Sequence, residues 1–164
     1  MRIFFAILTG ATSFITLQAF AYPNIGDKVT WSGEFQKVDG TSYKIQITKE
    51  VVAFNDKDKI WKVKVEAQLG DQKTADTFET KDLYSPQQYQ NLISHCAEQG
   101  GHVEELKLNL GTFKTCRLTN TTPEGVLVEK WWGDMPFGVI SKTTRDLRGL
   151  ALQNPDIRTV LVGL

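Results

Sequence analysis

Apolar and polar residues alternate with a period of two over most of the chain, the pattern of strands with one wet face. From Lys28 to Lys37, Val29, Trp31 and Phe35 share one phase, while Thr30, Ser32, Glu34 and Gln36 occupy the other. Asp39-Gly40 follows and predicts a type I′ hairpin, because both central residues of that turn need positive φ. Thr41 to Phe54 sets Tyr43, Ile45, Ile47 and Val51 in one phase and ends at a polar turn, Asn55 to Asp58. Beyond it, Trp61, Val63, Val65, Ala67 and Leu69 alternate with Lys62, Lys64, Glu66 and Gln68. Gly70-Asp71 marks another turn and Lys73 to Thr80 a weaker strand, so the first half reads as a four-stranded antiparallel meander.

The period then changes. Ser85-Pro86-Gln87-Gln88 offers a capping hydroxyl, a proline at the first helical position and a glutamine three residues after the cap. Tyr89, Leu92, Ile93 and Cys96 recur at helical spacing, and Gly100-Gly101 supplies a stop. A helix over about 86–99 follows, with Cys96 on its inward face. Strand patterns resume at His102 to Leu110, Thr112 to Thr119, Val126 to Trp132 and Phe137 to about Thr144. Turns separate them at Pro123-Glu124-Gly125 and Gly133-Asp134-Met135-Pro136. The pattern fades from Arg145 to Asp156, where Asn154-Pro155 reads as a loop, and returns from Ile157 to Leu164. The expected fold is mostly β (α+β): a curved antiparallel sheet or partial barrel of about eight or nine strands, with one main helix packed on it.

The N-terminus follows a different logic. Met1-Arg2 places one charge before an apolar run reaching about Leu17, and Ala19-Phe20-Ala21 supplies the small residues of a signal-peptidase site. The run is broken by Thr9, Gly10, Thr12, Ser13, Thr16 and Gln18, whereas a spanning helix needs roughly 20 strongly apolar residues. A cleaved signal over 1–21 and a single β-rich domain over 22–164 are expected, in the periplasm or secreted, with no membrane-spanning segment. Nineteen Lys plus Arg balance nineteen Asp plus Glu. Such balance argues against nucleic-acid binding, which relies on cations neutralising phosphates. The two cysteines, Cys96 and Cys116, read as one disulfide in an oxidising compartment.

Gly111-Thr112-Phe113-Lys114-Thr115-Cys116 and the later Trp131-Trp132-Gly133-Asp134-Met135-Pro136-Phe137-Gly138-Val139-Ile140 form a "G-T-F-x-x-C … W-x-x-x-x-P-F-G-V-I" pattern. This resembles exported bacterial proteins of undefined function, which are distantly similar to the half-barrels of the lipoprotein-localisation carriers. The resemblance spans Gly100 to Lys142 and implies a bacterial envelope protein whose concave sheet could shelter an acyl chain or apolar peptide. It brings no catalytic residue with it.

Candidate chemistry is thin. His95, Cys96, His102 and Cys116 are zinc-type ligands, but no Cys-x-x-Cys or His-x₃-His pair occurs, and adjacent His95 and Cys96 diverge by about 100° on a helix. A disulfide also removes the free thiol that a Cys–His nucleophile needs. The G-x-S-x-G, Walker and H-E-x-x-H patterns are absent. Glu129 and Asp134 flank Trp131-Trp132, but they read more simply as a strand residue and a turn residue. No metal, cofactor or catalytic residue is expected. The tryptophans are the better candidates: Trp31, Trp61, Trp131 and Trp132, with Met135 and Phe137, as an apolar groove or patch. Neighbours on a strand face opposite ways, so only one of Trp131 and Trp132 can share a given face. The expected function is non-enzymatic binding of a lipid or acyl group in a concave sheet. The alternative is an interaction or inhibitor module that meets an envelope protein through an aromatic patch or a strand edge.

Overall fold

The computed structural model describes residues 22–37, 40–146 and 158–163 of the 164-residue chain. The expected leader at 1–21 with its cleavage site, the Asp39 corner of the first hairpin and the loop at 154–155 lie outside the described residues. In chain order the elements are β1 (Lys28–Gln36), β2 (Ser42–Asn55), β3 (Ile60–Leu69), β4 (Gln72–Thr80), α1 (Pro86–Ser94), β5 (His102–Leu108), β6 (Gly111–Thr121), β7 (Val126–Trp132), β8 (Val139–Asp146) and β9 (Arg158–Gly163).

The strands form one nine-stranded sheet in the order β4-β3-β2-β1-β9-β8-β7-β6-β5. Every neighbouring pair is antiparallel. The protein is thus a mostly β, α+β fold: two four-stranded meanders joined through β9, with β4 and β5 at the edges and no barrel closure among the described residues. No helix among the described residues is long and apolar enough to cross a membrane.

Register fixes which side chains share a face, because alternate residues point to opposite sides. Trp31 pairs with Ile47 and Ile47 with Ala67, while Val51 pairs with Val63 and Val63 with Phe78. The apolar phase of the N-terminal meander therefore lies on one face, with Val29, Trp31, Val51 and Val63 buried. Strands β8 and β9 carry the same face across to Lys142, Lys130, Trp132 and Cys116. Here α1 packs, tied down by the Cys96–Cys116 disulfide, whose Cα atoms lie 5.8 Å apart, and by Tyr89 Oη donating to the Lys114 carbonyl at 3.0 Å.

The helix is shorter than its periodicity implied. Ser85 caps the N-terminus by accepting from Gln88 N, as expected, but regular helix ends at Ser94. Ser94 Oγ bonds back to the Gln90 and Asn91 carbonyls, and a run of turns carries the chain to Gly101, whose N–H reaches Cys96 O. Cys96 keeps its inward direction from this turn and is buried. At the first hairpin, the described residues show Lys37 N–H on Thr41 O and Gly40, at φ +84°, donating to Lys37 O.

Candidate functional site

Three chain segments meet on the face that carries Trp31. Strand β1 supplies Trp31, which is 5% exposed. Its indole Nε1 donates to the Val139 carbonyl at 2.6 Å, a direct bond from the N-terminal meander to the start of β8. The third segment is the turn between β7 and β8, closed by Gly133 N–H on Gly138 O and Gly138 N–H on Met135 O. In this turn Phe137 adopts φ +63°, which is unfavourable for a residue with a Cβ. The closing bonds hold Phe137 in that conformation, and strand β8 begins only at Val139, two residues later than the alternation predicted. The Phe137 ring packs edge-on against Trp31, with centroids 6.2 Å apart. Met135, Ile45, Ile47 and Val139 complete the apolar cluster.

Beside these rings opens a cleft of about 200 Å³ lined by Trp31, Ile47, Phe137 and Val139 together with Lys49, Lys130 and Lys142. Lys130 and Lys142 are directly opposed across β7 and β8. The Lys49 ammonium lies 5.9 Å from the centroids of both Trp31 and Phe137, and that of Lys130 lies 5.7 Å from Trp132, within cation–π range. Burial lowers the pKa of Lys49, and the charges of Lys130 and Lys142 lower it further. Lys142 is lowered by burial and then by Lys130. Among the described residues none of the three forms an ion pair. The cleft thus combines an apolar aromatic wall with concentrated, partly desolvated positive charge.

Next to it stands an aromatic stack. Tyr84 lies between Tyr22 and Trp132, at 6.4 and 5.6 Å between centroids, and its ring covers Gly138. Tyr22 is 8% exposed, and its hydroxyl donates to Asp134 in the β7–β8 turn at 2.7 Å. This stack supports the underside of the turn that carries Phe137.

Of the residues singled out in the sequence, Trp31, Met135 and Phe137 come together, and Trp132 joins them at one remove through Tyr84. Trp61 does not: it packs on Phe54, at 4.2 Å between centroids, away from the cleft. Trp131 and Trp132 face opposite ways, as strand geometry requires. Trp131 belongs to the other face, where its indole N–H is held by the Glu104 carboxylate and its ring lies beside Arg117. Among the described residues no group of His, Cys, Asp or Glu is arranged to hold a metal ion. Glu129 accepts from Thr143 and faces Arg117, while Asp134 accepts from Tyr22, so the two carboxylates serve separate partners.

The lysines escaped the sequence reading although one left a trace. Lys49 interrupts the apolar phase Tyr43, Ile45, Ile47, Val51, a charged residue at a core-facing position. Lys130 and Lys142 left none, because only the strand register opposes them. Two larger grooves, of about 450 and 300 Å³, have walls of a different kind. Ser32, Glu34, Lys44 and Gln46 line the first and Thr48, Glu66 and Lys73 the second, mainly from the polar phase of the N-terminal meander. Comparison of the chain with family models, curated proteins and solved structures finds no match.

Proposed function

We propose that this is an exported, non-enzymatic binding protein that holds a lipid or acyl group against the Trp31–Phe137 wall. One observation carries the reading: the cleft places Trp31, Ile47, Phe137 and Val139 along an opening on a sheet face, with Phe137 held in an unfavourable backbone conformation to do so. Backbone strain of this kind persists where surrounding contacts over-determine it, and it concentrates at ligand sites. A volume of about 200 Å³ is below the usual 300–1,000 Å³ of a pocket that engulfs a small molecule. The ligand is therefore held at one end, with the remainder lying along the sheet. The disulfide and the secretory leader read from the sequence agree with export to an oxidising compartment.

Native mass spectrometry of the protein purified from its own cell envelope tests this. Extra mass that is lost on denaturation, and that extraction identifies as lipid, is the expected result. A bare mass that stays bare after incubation with envelope lipids overturns it.

A second reading, docking of an envelope protein, draws on β4. This edge strand is exposed from Gln72 to Glu79 and presents Phe78, 42% exposed, beside an unpaired backbone edge. Such an edge can accept a partner strand. Lys73, Asp76 and Glu79 along it are the charges that guard edges against pairing, which makes it the weaker case.

A further inference from the structure

We infer that the cleft recognises the anionic head of a single-chain amphiphile: an oxyanion such as a phosphate or carboxylate, bound by Lys49, Lys130 and Lys142 while the chain leaves over Trp31 and Phe137. This rests on the apolar-ligand reading and adds the chemistry of the ligand's polar end.

The argument begins with a cost. Like charges directly opposed across two antiparallel strands repel, and Lys130 and Lys142 are such a pair. A third lysine, Lys49, reaches the same cleft over the Trp31 ring. Three ammonium groups beside an apolar wall lose hydration that neighbouring carboxylates would ordinarily replace. The carboxylates closest in sequence or across the strands are engaged elsewhere: Glu50 with Lys28, Glu129 with Thr143 and Arg117, and Asp134 with Tyr22. Among the described residues, the fold brings the cations together and gives them no counter-charge. An oxyanion supplies it, since three ammonium donors converging on one group of oxygens make charge-assisted hydrogen bonds. The neighbouring rings then fix the attachment. An alkyl chain bonded to that oxyanion gains burial against Trp31, Ile47, Phe137 and Val139, whereas a free inorganic anion leaves them unused.

The experiment titrates the full mature protein with dodecyl phosphate, dodecyl maltoside and inorganic phosphate, each amphiphile below its micelle concentration. Calorimetry gives affinities, and the assigned indole N–H resonance of Trp31 reports the site. The expected result is that dodecyl phosphate shifts the Trp31 resonance and binds at least about ten-fold tighter than dodecyl maltoside. The double variant K130Q/K142Q should lose that preference and keep its affinity for dodecyl maltoside, which also shows that it is folded. Equal binding of the two amphiphiles by the unaltered protein overturns the anion inference and leaves the apolar-ligand reading standing. Inorganic phosphate binding as tightly as dodecyl phosphate overturns the amphiphile and keeps only an anion site. Binding of neither amphiphile overturns both readings.

Discussion

The hydroxyl of Tyr22 donates to the carboxylate of Asp134 at 2.7 Å, joining the first described residue to the turn between β7 and β8. That turn carries Phe137, so Tyr22 braces the wall of the cleft. Tyr22→Phe keeps the ring stacked on Tyr84 and removes only the bond. A hydrogen bond to a charged acceptor is worth about 1.5–3 kcal/mol, and Asp134 is exposed enough to recover water. A loss of about 1–2 kcal/mol in urea unfolding is expected, together with a shifted Phe137 resonance.

The same stack predicts the alkaline limit of the fold. Burial raises the pKa of Tyr22, Tyr84 and Tyr89 above the ordinary value of 10.0. A tyrosine is neutral when protonated, so the folded state favours the protonated form and the unfolded chain ionises first. This contribution is complete below the unfolded value of about 10 and is lost as pH rises above it. Unfolding free energy should be flat through neutrality and fall steeply above pH 10, and Tyr22→Phe should lessen the slope. An unchanged slope in the variant would exclude Tyr22 as a source.

The disulfide fastens α1 and its following turn to β6, together with the Tyr89 bond to the Lys114 carbonyl. Cys96 and Cys116 are separated by 20 positions, and cross-linking a loop of that size contributes about 3 kcal/mol by restricting the unfolded chain. The double variant C96A/C116A should lose about that much. Thermal unfolding of the unaltered protein should drop with reductant, and that of the variant should not respond.

Gly138 has φ +74°, and a Cβ there would lie 2.7 Å from ring carbons of Tyr84. Gly138→Ala combines a disfavoured backbone with a clash against a packed ring. It should destabilise by roughly 2 kcal/mol or more, measured by denaturant unfolding.

Removing a charge from the lysine cleft should act in the opposite direction. Lys142→Met keeps most of the side chain's apolar length and abolishes its repulsion with Lys130. The free protein should gain about 0.5–1 kcal/mol. A loss of stability would mean that the Lys142 ammonium is compensated by a group not yet recognised.

How far the sequence reached depended on the range of the interaction. Alternation named the strands of both meanders, Ser85 and Pro86 marked the helix start, and the lone cysteine pair gave the staple, since each signal lies within a few residues or has one available partner. The helix end was misjudged because Ser94 turns its hydroxyl back on the backbone, which competes with further helix. Half of the site was readable: Trp31, Met135 and Phe137 were expected to act together. That Trp61 stands apart, that Trp131 sits on the other face and that Tyr22 meets Asp134 depend on register and on strand order between distant segments. The lysine cleft is the same case, assembled from residues whose sequence neighbours say nothing of one another.

The place of β9 has a consequence for how the molecule comes into being. Of the nine strands it is last in chain order, yet it lies at the middle of the sheet between β1 and β8. Each meander can zip up from local hairpins as its residues emerge, but the seam between them must wait for this strand. Until then β1 and β8 present raw pairing edges, and the Trp31 indole has no settled route to the Val139 carbonyl. The cleft beside Trp31 straddles that seam and is therefore among the last features to form. A chain caught before β9 pairs has both meanders in place and still lacks the cleft between them.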